Sequence, residues 1–302
     1  MSIQRRGDAG FQALLNTGAN IKAACEAAYP DVDYTYLIKD RANANNWQML
    51  DTVRGSNAVL QTNAAAAETT YSAPSGNSVG YVWRRGAAFG HDVVLDAGAG
   101  SAKTVAHALG ATPHFMMRVS RTNGGRLWGV YHRNMNATPQ NGYLDLRGTS
   151  AYTADGTFWN STAPTSGVFS VGTYLAANAE NFVTHLWTSI PGFSLFGSYV
   201  GNGSADGRFV WCGFRPRFVL VKRADATGDW YIHDAARSPS NVMGNLLSPN
   251  GSGVEFNTGT RLLDFTASGF KFRSSDFDVN ASGNTYIFAA FAEVPFKFAT
   301  AR

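Results

Sequence analysis

A histidine next to an aspartate, His233-Asp234, three residues after Trp230, is the kind of pair that could serve as a general base with an orienting carboxylate. The two segments that align with it carry Tyr131-His132 and Leu50-Asp51, so the pair is not kept within the chain. No set of nucleophile, base and orienter is evident. There is no phosphate-binding loop and no His-Glu-x-x-His. Asp276-Phe277-Asp278-Val279-Asn280 has the spacing that opens a calcium loop, but Ala281 and Ile287 stand where that loop needs glycine and glutamate. A looser calcium loop is the remaining reading. The six histidines (His91, His107, His114, His132, His185, His233) show no paired metal spacing within a segment. A threefold axis between copies could still gather one from each. The expectation is no catalytic residues, no cofactor and no resident metal, and hence no enzyme.

Tryptophans are the other candidates. Trp47, Trp128 and Trp230 recur at one position of an aligned segment and are expected in cores. Trp83, Trp187 and Trp211 are less regular. Trp159, in the loop-like run Gly156 to Thr162, and Tyr199 are the possible glycan contacts, because an exposed aromatic ring can stack on a sugar.

These residues are placed by an internal repeat. Trp128 matches Trp230, Ser166-Gly167 matches Ser268-Gly269, and Asn178-Ala179 matches Asn280-Ala281, all at an offset of 102 residues. Upstream of one deletion the offset is 103, with Gly98–Ala102 over Gly201–Ala205 and Pro113 over Pro216. A shorter third copy lies near the start, where Trp47 to Arg54 reads against Trp230 to Arg237. The resulting map has a shortened N-terminal unit at 1–86, a second unit at 87–188, and a third with the C-terminal end at 189–302. Repetition of a whole unit is typical of scaffolds and binding arrays.

Short apolar or alternating runs bounded by turn residues fill each unit. Phe218–Lys222 and Asp229–His233 flank a turn, as do Phe115–Val119 and Leu127–Tyr131. Phe270-Lys271-Phe272-Arg273 alternates, and Thr285–Phe291 is apolar enough for a sheet centre. The fold class expected is all-β, in tandem antiparallel sandwich or jelly-roll units of about 100 residues. Asn20–Ala28 is read as either a short helix ending before Pro30 or a strand, since its counterparts look like strand.

Only 15% of the 302 residues are charged while 13% are aromatic, and this favours an apolar surface buried against neighbours. A homo-oligomer, preferably a trimer, is expected. The hydrophobic segment Phe11–Ala28 is read as the attachment to other proteins. The net charge of +4 is scattered, which argues against nucleic-acid binding. Cys25 and Cys212 are expected to be reduced and inert. The start, Met1 to Asp8, is polar, and no run of 18 apolar residues exists, so neither a secretory signal nor membrane insertion is expected.

His107 to Pro113, the strand after it and Trp128-Gly129-Val130-Tyr131-His132 resemble a repeat of bacteriophage tail and virion proteins. Pro191–Gly203 and Asn280–Phe296 resemble it too. The resemblance covers about 87–296, and 34–85 loosely. It departs in the shortened first unit and around Phe214 and Arg217. It implies a structural virion protein made in the bacterial cytoplasm, a tail fibre or other tail component that contributes to host-surface glycan recognition. A capsid decoration or head-fibre protein and a surface-polysaccharide depolymerase are the alternatives.

Overall fold

The computed structural model describes residues 10–17 and 20–292. The polar start and the end of the C-terminal run, beyond Ala292, lie outside them. The chain is all-β, and its antiparallel sheets fall into three sets.

The first set is β1 (Phe11–Thr17), β2 (Tyr34–Asp40), β3 (Gln48–Asp51), β4 (Gly55–Leu60), β5 (Thr69–Thr70) and β6 (Asn77–Arg84), in the order β1-β6-β2-β3-β4-β5. The second contains β7 (His91–Ala97), β8 (Lys103–Ala106), β9 (Phe115–Ser120), β10 (Gly129–His132), β11 (Gly142–Asp145), β12 (Thr153–Ala154), β13 (Val168–Val171) and β14 (Asn181–Trp187). Its main sheet runs β12-β11-β10-β9-β14-β7, and β8 pairs with β13 in a second layer. The third contains β15 (Ser194–Val200), β16 (Phe209–Trp211), β17 (Pro216–Arg223), β18 (Trp230–Asp234), β19 (Leu263–Thr266), β20 (Gly269–Phe272) and β21 (Thr285–Ala292). Its sheets run β15-β21-β17-β18 and β16-β20-β19.

One order underlies all three main sheets. The unit's first strand pairs with its last, the last with the strand before the tryptophan hairpin, and that strand with its hairpin partner. The long apolar last strands β6, β14 and β21 are therefore central, as their composition requires. The second layer differs. In the second and third units a strand, β8 or β16, leaves the main sheet for it. In the first unit α1 (Asn20–Glu26) stands at that place in the chain and buries Ile21 and Cys25 against β6. Gly80 permits this close approach, since a Cβ there would lie 2.4 Å from the Cys25 sulfur. Cys25 and Cys212 are both buried, unpaired, and pushed up to about 12 by desolvation.

The inner faces of the three main sheets meet in one apolar cluster. Trp83, Trp187 and Phe291, at matching places near the ends of β6, β14 and β21, come together there. Trp83 lies 6.0 Å from Trp187 and 5.8 Å from Phe291, ring centre to ring centre. Phe11 stacks on Phe291 at 5.0 Å. A void of about 40 Å³ remains between the sheets, and Leu37, Met117 and Leu220, again matching positions, line it. The units are thus three parts of a ring with a common core. The segment read as an attachment anchor is built into that ring: Phe11 is buried in the shared core and β1 pairs along its length with β6.

Trp47, Trp128 and Trp230 are all buried. Trp230→Ala should lower the unfolding free energy by roughly 3–5 kcal/mol in urea denaturation, as expected for emptying an indole-sized site. Deleting residues 1–33 removes Phe11 and α1, and should give a chain that melts earlier and aggregates. A truncated protein with an unchanged thermal midpoint would contradict the shared core.

Candidate functional site

The side chains with chemical potential gather at the three seams between units, and corresponding positions recur from seam to seam. Each repeated tryptophan donates its indole N–H to a carbonyl of a neighbouring unit. Trp128 donates to Gln61 at 3.1 Å, Trp230 to Asp145 at 3.0 Å, and Trp47 to Ser248 at 2.8 Å. The second unit thereby reaches the first, the third reaches the second, and the first reaches the third. A backbone bond repeats at every seam as well: Glu68 N–H to Arg121 O, Tyr152 N–H to Ala224 O, and Glu255 N–H to Arg41 O.

A polar pair lies deeper in each seam. It joins the last strand of one unit, two or three residues before Trp83, Trp187 or Phe291, to the end of the neighbour's hairpin strand. Between the third and first units, the Tyr81 hydroxyl donates to Asp234 at 2.7 Å. Between the first and second, His185 Nε2 lies 3.5 Å from Asp51. Thr35 joins this group, its hydroxyl 2.8 Å from His91 Nε2 and 3.3 Å from His185 Nδ1. Between the second and third, His132 Nε2 meets the Phe288 carbonyl at 3.2 Å.

These groups are fully buried, and burial fixes their protonation. Desolvation holds His91, His132 and His233 down at about 3, and pushes His185 well below the ordinary imidazole value. Tyr81 is driven well above the ordinary phenol value by the same cause. His233 and Asp234 do not cooperate, because neighbouring residues of a strand face opposite sides. His233 packs against Phe272, and neither of its ring nitrogens has a hydrogen-bond partner among the described residues. Asp234 faces the seam, bonded to Arg237 and Tyr81.

Asp51 and Arg54, like Asp234 and Arg237, form buried ion pairs three residues apart. Each arginine reaches on to a glutamate and through it to an arginine of another unit. Arg54 binds Glu68, which binds Arg121 at 2.8 Å; Arg237 binds Glu255, which binds Arg41 at 2.7 Å. Two seams are therefore closed by an Arg–Glu–Arg triad. In the third, between the second and third units, the matching positions hold Met135, Tyr152 and Ala224.

Of the residues singled out in the sequence for sugar stacking, Trp159 is buried and Tyr199 is half-buried. Trp159 is 1% exposed and packs edge-on against Tyr131. The tight helical turn Gly156–Trp159, capped by the Asp155 side chain, turns the indole inward. Tyr199 stacks on Tyr286 at 5.1 Å, with its hydroxyl bonded to the Val279 carbonyl. The exposed indole is Trp211, at 66%, beside Phe209 at 48% on β16. The matching strand β8 turns Thr104 and Ala106 outward, so the fold does not require aromatics there. Irregular placement in the repeat was the available signal.

The Asp276–Asn280 loop is organised around an arginine. Arg261 lies 3.2 Å from Asp276 and 2.7 Å from Asp278, and the Asn280 amide ties down backbone carbonyls. No group of three or more histidine, cysteine or acidic residues among the described residues is arranged to hold a metal ion. One nucleophile-elbow spacing does occur, Gly76-Asn77-Ser78-Val79-Gly80. Its serine is buried within β6 and donates to the Gly76 carbonyl, so it lacks the exposed strand-to-helix turn such a nucleophile needs.

A family model described as a domain of unknown function, DUF7483, matches residues 75–295. The chain belongs to this family. The match opens just before β6 and takes in every described strand of the second and third units. No curated protein matches the chain. No helix among the described residues is long and apolar enough to cross a membrane.

The buried histidines set a pH dependence. An unfolded histidine takes up a proton near pH 6.5, while in the folded chain protonation waits until far lower pH, so acid favours the unfolded state. The stability is intact above about pH 6.5 and is lost as pH falls from there towards 3, by up to ~1.4 kcal/mol per pH unit for each such histidine. His233→Leu should remove one share of that slope. Calorimetric melts between pH 7 and pH 4.5 measure it, and an unchanged slope in the variant would count against neutral burial.

Proposed function

We propose that the chain is a structural, non-enzymatic component of a bacteriophage virion, a tail fibre or other tail protein that contributes to host-surface glycan recognition. The observation that carries this reading is the closed ring of seams. Asp51, Asp234, His132 and His185 are spent as ties between units, away from solvent. That arrangement suits a rigid part that bears load or presents a surface. The sequence resemblance over about 87–296 supplies the virion setting.

The ring also bears on assembly. The apolar excess that suggested a homotrimer is buried between three units of one chain. We take one copy to do the work of a trimer, with attachment to other virion proteins through surfaces outside the shared core. The approximate threefold arrangement favours one alternative in particular, a capsid decoration protein seated at a threefold position. A depolymerase reading draws no support from His233 and Asp234, which face opposite sides of their strand.

Gold-labelled antibody against the chain, applied to purified virions, should mark the tail in electron micrographs. Label on the head would favour the decoration protein, and particles without label would sink both readings. Light scattering of the isolated chain should give the mass of a single copy at micromolar concentration; a trimer mass would show that the ring also self-associates.

A further inference from the structure

Of the three seams, only the one between the second and third units lacks its charged triad. The three positions that would hold it, Met135, Tyr152 and Ala224, all line an open cleft of about 540 Å³ there. That is within the ordinary size of a small-molecule site. The backbone bond from Tyr152 to Ala224 is kept, so the seam has not come apart. Side chains alone make the opening: methionine, tyrosine and alanine where the sister seams have arginine, glutamate and arginine.

We propose that this cleft binds a neutral pyranose sugar, which gives the glycan-recognition part of the proposed function, on which it rests, a definite place. The lining has the chemistry for it. Tyr152 offers an aromatic ring, and its hydroxyl is bonded to the Thr138 carbonyl, which fixes its pose. Ala137 and Ala151 supply apolar surface for the carbon-bound hydrogens of a sugar, with Met135 and Ala224 buried beneath them. The amide nitrogens of Asn134 and Asn136 are left as donors. Asn134 uses its amide oxygen to accept from Arg133, and Asn136 uses its own to accept from the Thr138 backbone N–H. Asp225 adds a carboxylate that already accepts from Arg223 and from the Thr285 backbone N–H. No lysine, arginine or histidine among the described residues lines the cleft, so an anionic ligand would find no counter-charge in this lining. The Asp225 charge is met by Arg223, so a cation is not demanded either. Amide, carboxylate and ring together recognise hydroxyls and a hydrophobic sugar face.

Two other open clefts lack this character. One is closed around the ion pairs of Arg85 with Asp33 and Asp92. In the other, Asn46 and Gln61 bond to each other and Gln48 bonds to the Ser72 backbone. These named side chains are already engaged within the protein.

The sister seams supply the test. The triple variant Met135→Arg, Tyr152→Glu, Ala224→Arg rebuilds the triad that this fold accommodates at two equivalent places. A second variant, Asn134→Ala with Asn136→Ala, removes two exposed donors and leaves the core untouched. Saturation-transfer NMR on the full chain, with methyl α-glucopyranoside, methyl β-galactopyranoside and N-acetylglucosamine at millimolar concentration, should detect at least one of the three. Both variants should melt like the parent and weaken that binding at least about tenfold. If the triple variant fails to fold, the asparagine pair carries the test alone. No transfer to any of the three sugars, binding unchanged in the asparagine variant, or preferential binding of inorganic phosphate would each overturn the proposal. Virion labelling is read separately: a labelled particle whose chain binds no sugar sinks this inference alone, and a sugar-binding chain absent from the particle sinks only the virion reading.

Discussion

Three indole N–H groups govern this structure. Leaving a buried indole donor unpaired costs on the order of 1–3 kcal/mol. Trp83, Trp159 and Trp187 find no acceptor among the described residues, whereas Trp47, Trp128 and Trp230 avoid that cost. In each unit the tryptophan fills the core, yet its nitrogen finds a carbonyl only on another unit. No unit can therefore bury its own tryptophan fully satisfied while alone. The shared aromatic cluster and the repeated backbone bonds follow from that dependence. The second layer is free to vary, because it lies outside the ring: a helix in the first unit, a strand pair in the second, three strands in the third.

The seams show how much one geometry tolerates. A tyrosine–aspartate bond, a histidine beside an aspartate and a histidine on a carbonyl all fit the same place. In a homotrimer one sequence would have to serve three identical seams, and opening one would open all. Fusion of three units in one chain removes that constraint. It allows two seams to be fastened by charge while the third holds Met135, Tyr152 and Ala224 around a cleft.

The repeat was plain in the sequence because strand order imposes the same apolar spacing each time. Trp128 and Trp230, 102 residues apart, occupy matching buried positions at the start of matching hairpins. The ring was hidden, since its bonds end on carbonyls, which every residue has. Part of the triads was legible: Asp51 to Arg54 and Asp234 to Arg237 keep the same spacing, whereas Glu68 and Glu255 are joined to them only by folding. Trp159 misled because a single helical turn, capped by Asp155, reads as loop. The other copies do not keep the His233-Asp234 pair, and in the structure the two face opposite sides of β18.

Phe11 lies against Phe291, so the two ends of the described chain meet in the core that all three units share. A ribosome releases the first of these rings long before the last. Until β21 emerges, Trp83, Trp187 and Phe218 have only part of their neighbours. Contacts so distant in sequence make for slow folding, because loop-closure entropy precedes their reward. The unfinished chain must hold sticky aromatic surface in water for the whole of its synthesis, and this is the window in which a chaperone would matter. Once the last strand is inserted between β15 and β17, the ring shuts, and release of any one unit then requires opening two seams at once.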